Sequence, residues 1–187
     1  MPVTTLDPKA ALIVIDLQKG VVGMQTVTPT MEIVRRSADI ARAFRRRDFP
    51  VILVNVNGRA PGRTALQRNF ARPDGWDELV PELDIQATDF RVTKQQIGAF
   101  YGTALELILR RNGVTQVFIT GIATSSGVEA TARTAYDLGF NVVSIVDAMT
   151  EGDVEAHQHA VEKQLPKISE IATTAEVLAL LGAGARS

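Results

Sequence analysis

Four short runs of apolar, largely β-branched residues set the fold class of this chain. ALIVIDL at 11–17, PVILVNV at 50–56, TQVFITGI at 115–122 and NVVSIVDA at 141–148 are apolar nearly throughout and do not alternate. An alternating strand buries one face. A strand apolar at successive positions is buried on both, as in a parallel sheet with helices on either side. FRVTK at 90–94 and SEIATT at 169–174 are shorter strand candidates.

Between these runs the apolar spacing becomes helical. Thr28 as cap and Pro29 as first residue suit a helix that gathers Ile33, Ser37, Ile40, Ala41 and Phe44 on one side and ends before Pro50. A second helix is predicted from about Thr103 to Asn112, with Ala104, Leu107 and Ile108 inward and Gly113 as its stop. A third runs from about Gly127 to Leu138, with Val128, Ala132 and Ala135 on one face and Gly139 ending it. Val154, His157, Val161 and Leu165 space a fourth, and Ala175 to Leu181 form a fifth. Strands alternating with helices predict a three-layer, Rossmann-like α/β fold: a mostly parallel six-stranded sheet flanked by helices. The 187 residues fit one domain over 1–187.

Composition excludes several functions. The net charge of −1 offers no basic excess for nucleic acid or an anionic membrane surface. Asp48 balances the basic run Arg45–Arg46–Arg47, which reads as a solvated helix end. With no cysteine in the chain, disulfides, thiolate metal sites and thiol catalysis are ruled out. MPVTTLDPKAA lacks a basic stretch followed by an apolar one, and no apolar run approaches a membrane span. A cytoplasmic location with no membrane partner is therefore expected.

In such folds ligands bind beyond the carboxyl ends of the strands. Three polar features fall there: Asp16, Lys94 and the turn GIATSSG at 121–127. A carboxylate closing a buried strand must find a partner or a raised pKa. Asp16 and Lys94, from different strands at one sheet edge, can hold each other with a polar substrate between them; a helix cap and a surface lysine are the plainer alternatives. The turn leaves backbone N–H groups free for developing negative charge, or is an ordinary helix start capped by Ser125 or Ser126. Asn57 to Asp89 is a long loop of little periodicity, a functional loop or an interface arm.

LIVIDLQKG (12–20), the stretch VTKQQIGAFYGTALELILRRNGVTQVFITGIATSSGVEATARTAYDLGFNVVSIVDAMT (92–150) and the spacing between them resemble the isochorismatase-like hydrolase superfamily, from about Lys9 to Thr174. That superfamily includes nicotinamidases, N-carbamoylsarcosine amidohydrolases and isochorismatases. The resemblance implies that Asp16 is the acid/base aspartate and Lys94 the active-site lysine. It implies a cis peptide between Ile122 and Ala123 that aims the Ala123 and Gly127 N–H groups at an oxyanion. Gly127 stands where the amidase-type members carry cysteine, so their thiolate mechanism is closed to this chain. Isochorismatases resemble it in having glycine there; they cleave a vinyl ether, with the aspartate as general acid and no covalent nucleophile. ATSSG nevertheless reads more like an amidase-type turn that has lost its cysteine. The function implied is hydrolysis of a small organic acid, without cofactor, by a homo-oligomer; the alternative is a silent relative that binds a metabolite or serves as an assembly partner.

Other residues have readings of their own. Nicotinamidase-like members hold a metal near the second strand, but VNVNGRAPGR has no histidine, so no metal site is predicted. Gln18, two residues beyond Asp16, faces the same side if the strand continues. Gln18, Phe100, Tyr101 and Trp76 are candidates for the pocket wall or for packing. Ser126 is a weak substitute nucleophile, since a serine needs an adjacent base. His157 lies on an apolar stripe and reads as a core or interface residue. Arg59, Arg63, Arg68 and Arg72 suit a carboxylate substrate or simple solvation.

Overall fold

The computed structural model describes residues 3–65 and 72–183. In chain order the elements are β1 (Ala10–Ile15), the one-turn α1 (Lys19–Val22), α2 (Thr30–Arg45), β2 (Val51–Val56), β3 (Phe90–Lys94) and α3 (Leu105–Arg111). There follow β4 (Gln116–Ile122), α4 (Glu129–Asp137), β5 (Asn141–Thr150), α5 (Val154–His159), β6 (Glu170–Ala172) and α6 (Thr174–Ala183). The six strands form one sheet in the order β3-β2-β1-β4-β5-β6, and each neighbouring pair is parallel. The chain works outward from β1 in one direction and from β4 in the other. The crevice between the ends of β1 and β4 is thus the point where the winding reverses.

Both faces of the sheet are covered, which is why β1 is buried at every residue. Ala10, Leu12 and Val14 pack with Ile33, Ile40 and Phe44 of α2 and Val177 and Leu181 of α6. Ala11, Ile13 and Ile15 pack with Leu105 and Leu109 of α3 and Ala132 and Ala135 of α4. Phe44 meets Phe118 edge-on at 5.2 Å, joining α2 to the central strand β4. Among the described residues no helix is long and apolar enough to cross a membrane.

Three helices depart from the sequence reading. α2 begins at Thr30 with Pro29 in the cap position and no side-chain cap; Thr28 instead donates its N–H to Thr150 Oγ1 at 3.0 Å. In α3 the inward residues are Leu105 and Leu109, while Ala104 and Leu107 are exposed. TALELIL offers more than one stripe at helical spacing. Thr103 Oγ1 decides between them by accepting the Leu105 N–H at 3.1 Å, so the helix starts at Leu105, two residues later than expected. The fourth predicted helix breaks into α5, a π turn (Ala160–Gln164) and a 3₁₀ turn (Leu165–Lys167) at Pro166. The wider π turn shifts the phase, leaving Ala160 and Leu165 buried and Val154 exposed.

Candidate active site

β1 ends one residue before Asp16. Asp16 takes a left-handed conformation, φ 55°, and its N–H still donates to Val54 O at 2.9 Å. Gln18 N–H closes back on Asp16 O at 2.9 Å, so the chain turns sharply at the strand end. Lys94 is the last residue of β3, two strands away, level with Val56. Its Nζ reaches Asp16 Oδ2 at 2.8 Å and donates to Gln96 O at 3.2 Å. Both side chains are buried, and Asp16 Oδ1 has no hydrogen-bond partner among the described residues. Burial raises the Asp16 pKa to about 6; Lys94 opposes the rise by charge and hydrogen bond but does not cancel it.

The other wall is the turn after β4. Gly121, φ 121°, pairs with Ile15, and a Cβ there would lie 2.1 Å from Ile15 O, so only glycine fits. The Ile122–Ala123 peptide bond is cis. Thr124–Val128 then forms a single π-helical turn in which Ser126 and Val128 N–H both donate to Ala123 O, at 3.1 and 3.2 Å. Gly127 backs onto the acid: a Cβ at this position would meet Ile15 Cγ2 at 3.1 Å and Asp16 Oδ2 at 3.5 Å. Buried Thr131 ties the turn to the loop after β3. Its hydroxyl donates to Gly127 O at 2.6 Å and accepts the Ala99 N–H at 3.1 Å.

Asp16, Lys94, Ala123, Ser126, Gly127 and Arg59 line a cavity of about 210 Å³. That is smaller than the ~300–1,000 Å³ typical of sites for drug-sized ligands, so the space suits a small metabolite.

Other proposed site residues lie elsewhere. Gln18 is fully buried and spent on backbone: Nε2 donates to Val56 O (3.0 Å) and Trp76 O (3.3 Å), and Oε1 accepts Val56 N–H (2.8 Å). Strand alternation does not carry past the turn at Asp16, so the two residues do not share a face. Ile122 packs its side chain into the core beneath α2. Phe100 stacks on Phe140 at 6.3 Å within the core, and Tyr101 points to solvent. Trp76 covers Gly20, where a Cβ would fall 1.9 Å from the indole. Arg72 lies over that ring at 5.3 Å and donates to Asn57 O; Arg63 is exposed; Arg68 lies outside the described residues. No set of three or more histidine and acidic side chains among the described residues is placed to hold a metal ion.

Two residues behind the turn touch it directly. His157 Nδ1 pairs with Thr124 Oγ1 at 2.9 Å, and burial lowers its pKa against the pull of Glu151. Buried Glu151 accepts the Ser125 N–H at 2.7 Å and the Ser125 hydroxyl at 2.9 Å. Sequence reasoning passed over Glu151, although it follows β5 as Asp16 follows β1.

The isochorismatase domain model matches residues 10–176. This chain belongs to the isochorismatase family. Among its relatives is the isochorismatase family protein YecD of Escherichia coli O157:H7, 37% identical over 90% of this chain and 94% of its own length. A solved isochorismatase family structure from Burkholderia thailandensis is 39% identical, with a TM-score of 0.92 over 95% of this chain and 98% of that one. Nicotinamidase 3 of Arabidopsis thaliana is 31% identical over 80% of this chain and 77% of its own.

Proposed function

We propose that this isochorismatase-family protein hydrolyses a vinyl ether of a small organic acid, with Asp16 as general acid and no covalent intermediate. One observation carries the reading. A carboxyl with a pKa of about 6, held by Lys94, borders a small cavity beside a glycine that has no nucleophile to offer. Asp16 protonates the enol-ether carbon. Water adds to the resulting oxocarbenium carbon and returns a proton to Asp16, and the hemiketal collapses to a carbonyl compound and an alcohol. Lys94 holds the carboxylate after it has given up its proton. As the hemiketal collapses, the Ala123 and Gly127 N–H groups are the donors for the negative charge that develops on the departing alcohol oxygen, which takes up the proton of the hemiketal hydroxyl. Lys94 and Arg59 on the cavity wall favour an anionic substrate.

The test is a screen of vinyl ethers, amides and carbamoyl compounds against wild type and Asp16→Asn. Isochorismate comes first, with pyruvate release as the readout. Turnover of a vinyl ether that drops at least ~100-fold in the variant is expected. Turnover confined to amides, or equal in the two proteins, overturns the mechanism. Tight binding without turnover of any class identifies a ligand-binding relative.

A further inference from the structure

We propose that Glu151 is a positioning residue: its buried carboxylate holds the Thr124–Val128 turn in the shape that presents the Ala123 and Gly127 N–H groups to the cavity. The inference rests on the anion-binding role given to that turn above. Thr150 pairs with Ile122 across β5 and β4, which sets Glu151 beside Ala123, directly lateral to the turn. Its backbone is fixed from the other side, since Val27 N–H donates to Glu151 O at 2.9 Å and Thr28 N–H to Thr150 Oγ1.

Glu151 does not serve the helix that follows it. Asp153 caps α5, accepting the Ala156 N–H at 3.0 Å. Instead both Glu151 oxygens go to one residue, Ser125: one takes its N–H and the other its hydroxyl. A buried carboxylate so committed fixes the start of the turn at two points. It also takes the Ser125 N–H out of competition for an anion, leaving the donors nearer Asp16. His157 holds Thr124 alongside.

Positioning and mere negative charge predict opposite signs for one measurement. The chain has no cysteine, so Gly127→Cys supplies a single thiol, followed by iodoacetamide alkylation against pH. In that background Glu151→Ala is expected to raise the thiol pKa by about one pH unit toward the free value of about 8.5, because the turn relaxes and its donors swing away. Glu151→Gln, which keeps one acceptor, and Ser125→Ala, which keeps the N–H bond, should give smaller rises. A thiol pKa that falls on loss of Glu151 makes it only a nearby charge, and an unchanged pKa makes it a bystander; either overturns the proposal. If Glu151→Ala fails to fold, the Gln and Ser125→Ala variants decide by the same signs.

Amide hydrogen exchange separates this inference from the reading beneath it. With Gly127 in place, Glu151→Ala or Glu151→Gln should speed exchange at residues 123–128 about tenfold while the sheet amides are unaffected. A parent thiol that titrates like free cysteine removes the anion-binding role, and accelerated exchange alone then leaves Glu151 as the clamp of the turn. Unchanged exchange overturns the clamp as well.

Discussion

Replacing Asp16 with asparagine should change how the stability of this protein depends on pH, by an amount set by the burial of one carboxyl. In the folded chain the Asp16 pKa is raised from 3.8 to about 6, chiefly by burial. The folded state therefore binds the proton more tightly than the unfolded state. Such a group contributes its stability fully below about pH 3.8, and that contribution is lost as pH rises through about 6. At about 1.4 kcal/mol per pH unit, the interval corresponds to about 3 kcal/mol. The asparagine amide has no such titration and keeps an oxygen for Lys94. Urea unfolding of both proteins at pH 4, 5, 6, 7 and 8, with matched ionic strength, isolates Asp16 in the difference between the two curves. The variant should gain on wild type by about 3 kcal/mol from the acid end to pH 8, most of it between about pH 4 and 6. Parallel curves would show that Asp16 titrates as it does in the unfolded chain. A variant that loses ground as pH rises would mean that Lys94 outweighs burial, and Asp16 could not serve as an acid near neutral pH.

Turnover that uses protonated Asp16 should decline above about pH 6; Lys94→Met should move that limb to higher pH, since Lys94 holds the pKa down, as a pH–rate profile would record. Gly121→Ala should prevent folding or destabilise by more than ~3 kcal/mol, because its Cβ would lie 2.1 Å from the Ile15 carbonyl; circular dichroism and urea unfolding report this. Arg45→Ala should cost about 3 kcal/mol in the same assay, since it takes both guanidinium bonds from the buried Asp89 carboxylate, held at 2.7 and 2.9 Å, and leaves it only the Gln86 N–H. EDTA should leave any activity unchanged; loss restored by zinc or iron would place a metal in the site.

Local pattern located strand ends better than it located neighbours. The runs at 90–94 and 115–122 coincide with β3 and β4 to within a residue, and Asp16 and Lys94 could be singled out because charge at the end of an apolar run is conspicuous. That Lys94 meets Asp16 depends on the order β3-β2-β1, which only the fold supplies. Gln18 was misplaced because alternation was extended beyond a turn made by a left-handed aspartate, a conformation that periodicity does not encode. Leu107 was misread because several stripes share one short helix and a threonine hydroxyl chose the phase. Glu151 was invisible for a different reason. Its partner Ser125 lies 26 residues earlier, and the two meet only because β4 and β5 are adjacent.

At Gly121 the Ile15 carbonyl occupies the space that a side chain would need. The two central strands interlock there, with the acid one residue beyond on one strand and the cis bond one residue beyond on the other. Sliding either strand by one step would drive a Cβ into backbone, so the central pair admits a single alignment. The distance between the acid and the start of the turn is thus inherited from that alignment, while the shape of the turn beyond it waits on Glu151 after β5. Placement of Asp16 against Ala123 should then be simultaneous with closure of the sheet's middle. Time-resolved refolding should find no species in which β1 and β4 are zipped while Asp16 and Ala123 remain apart.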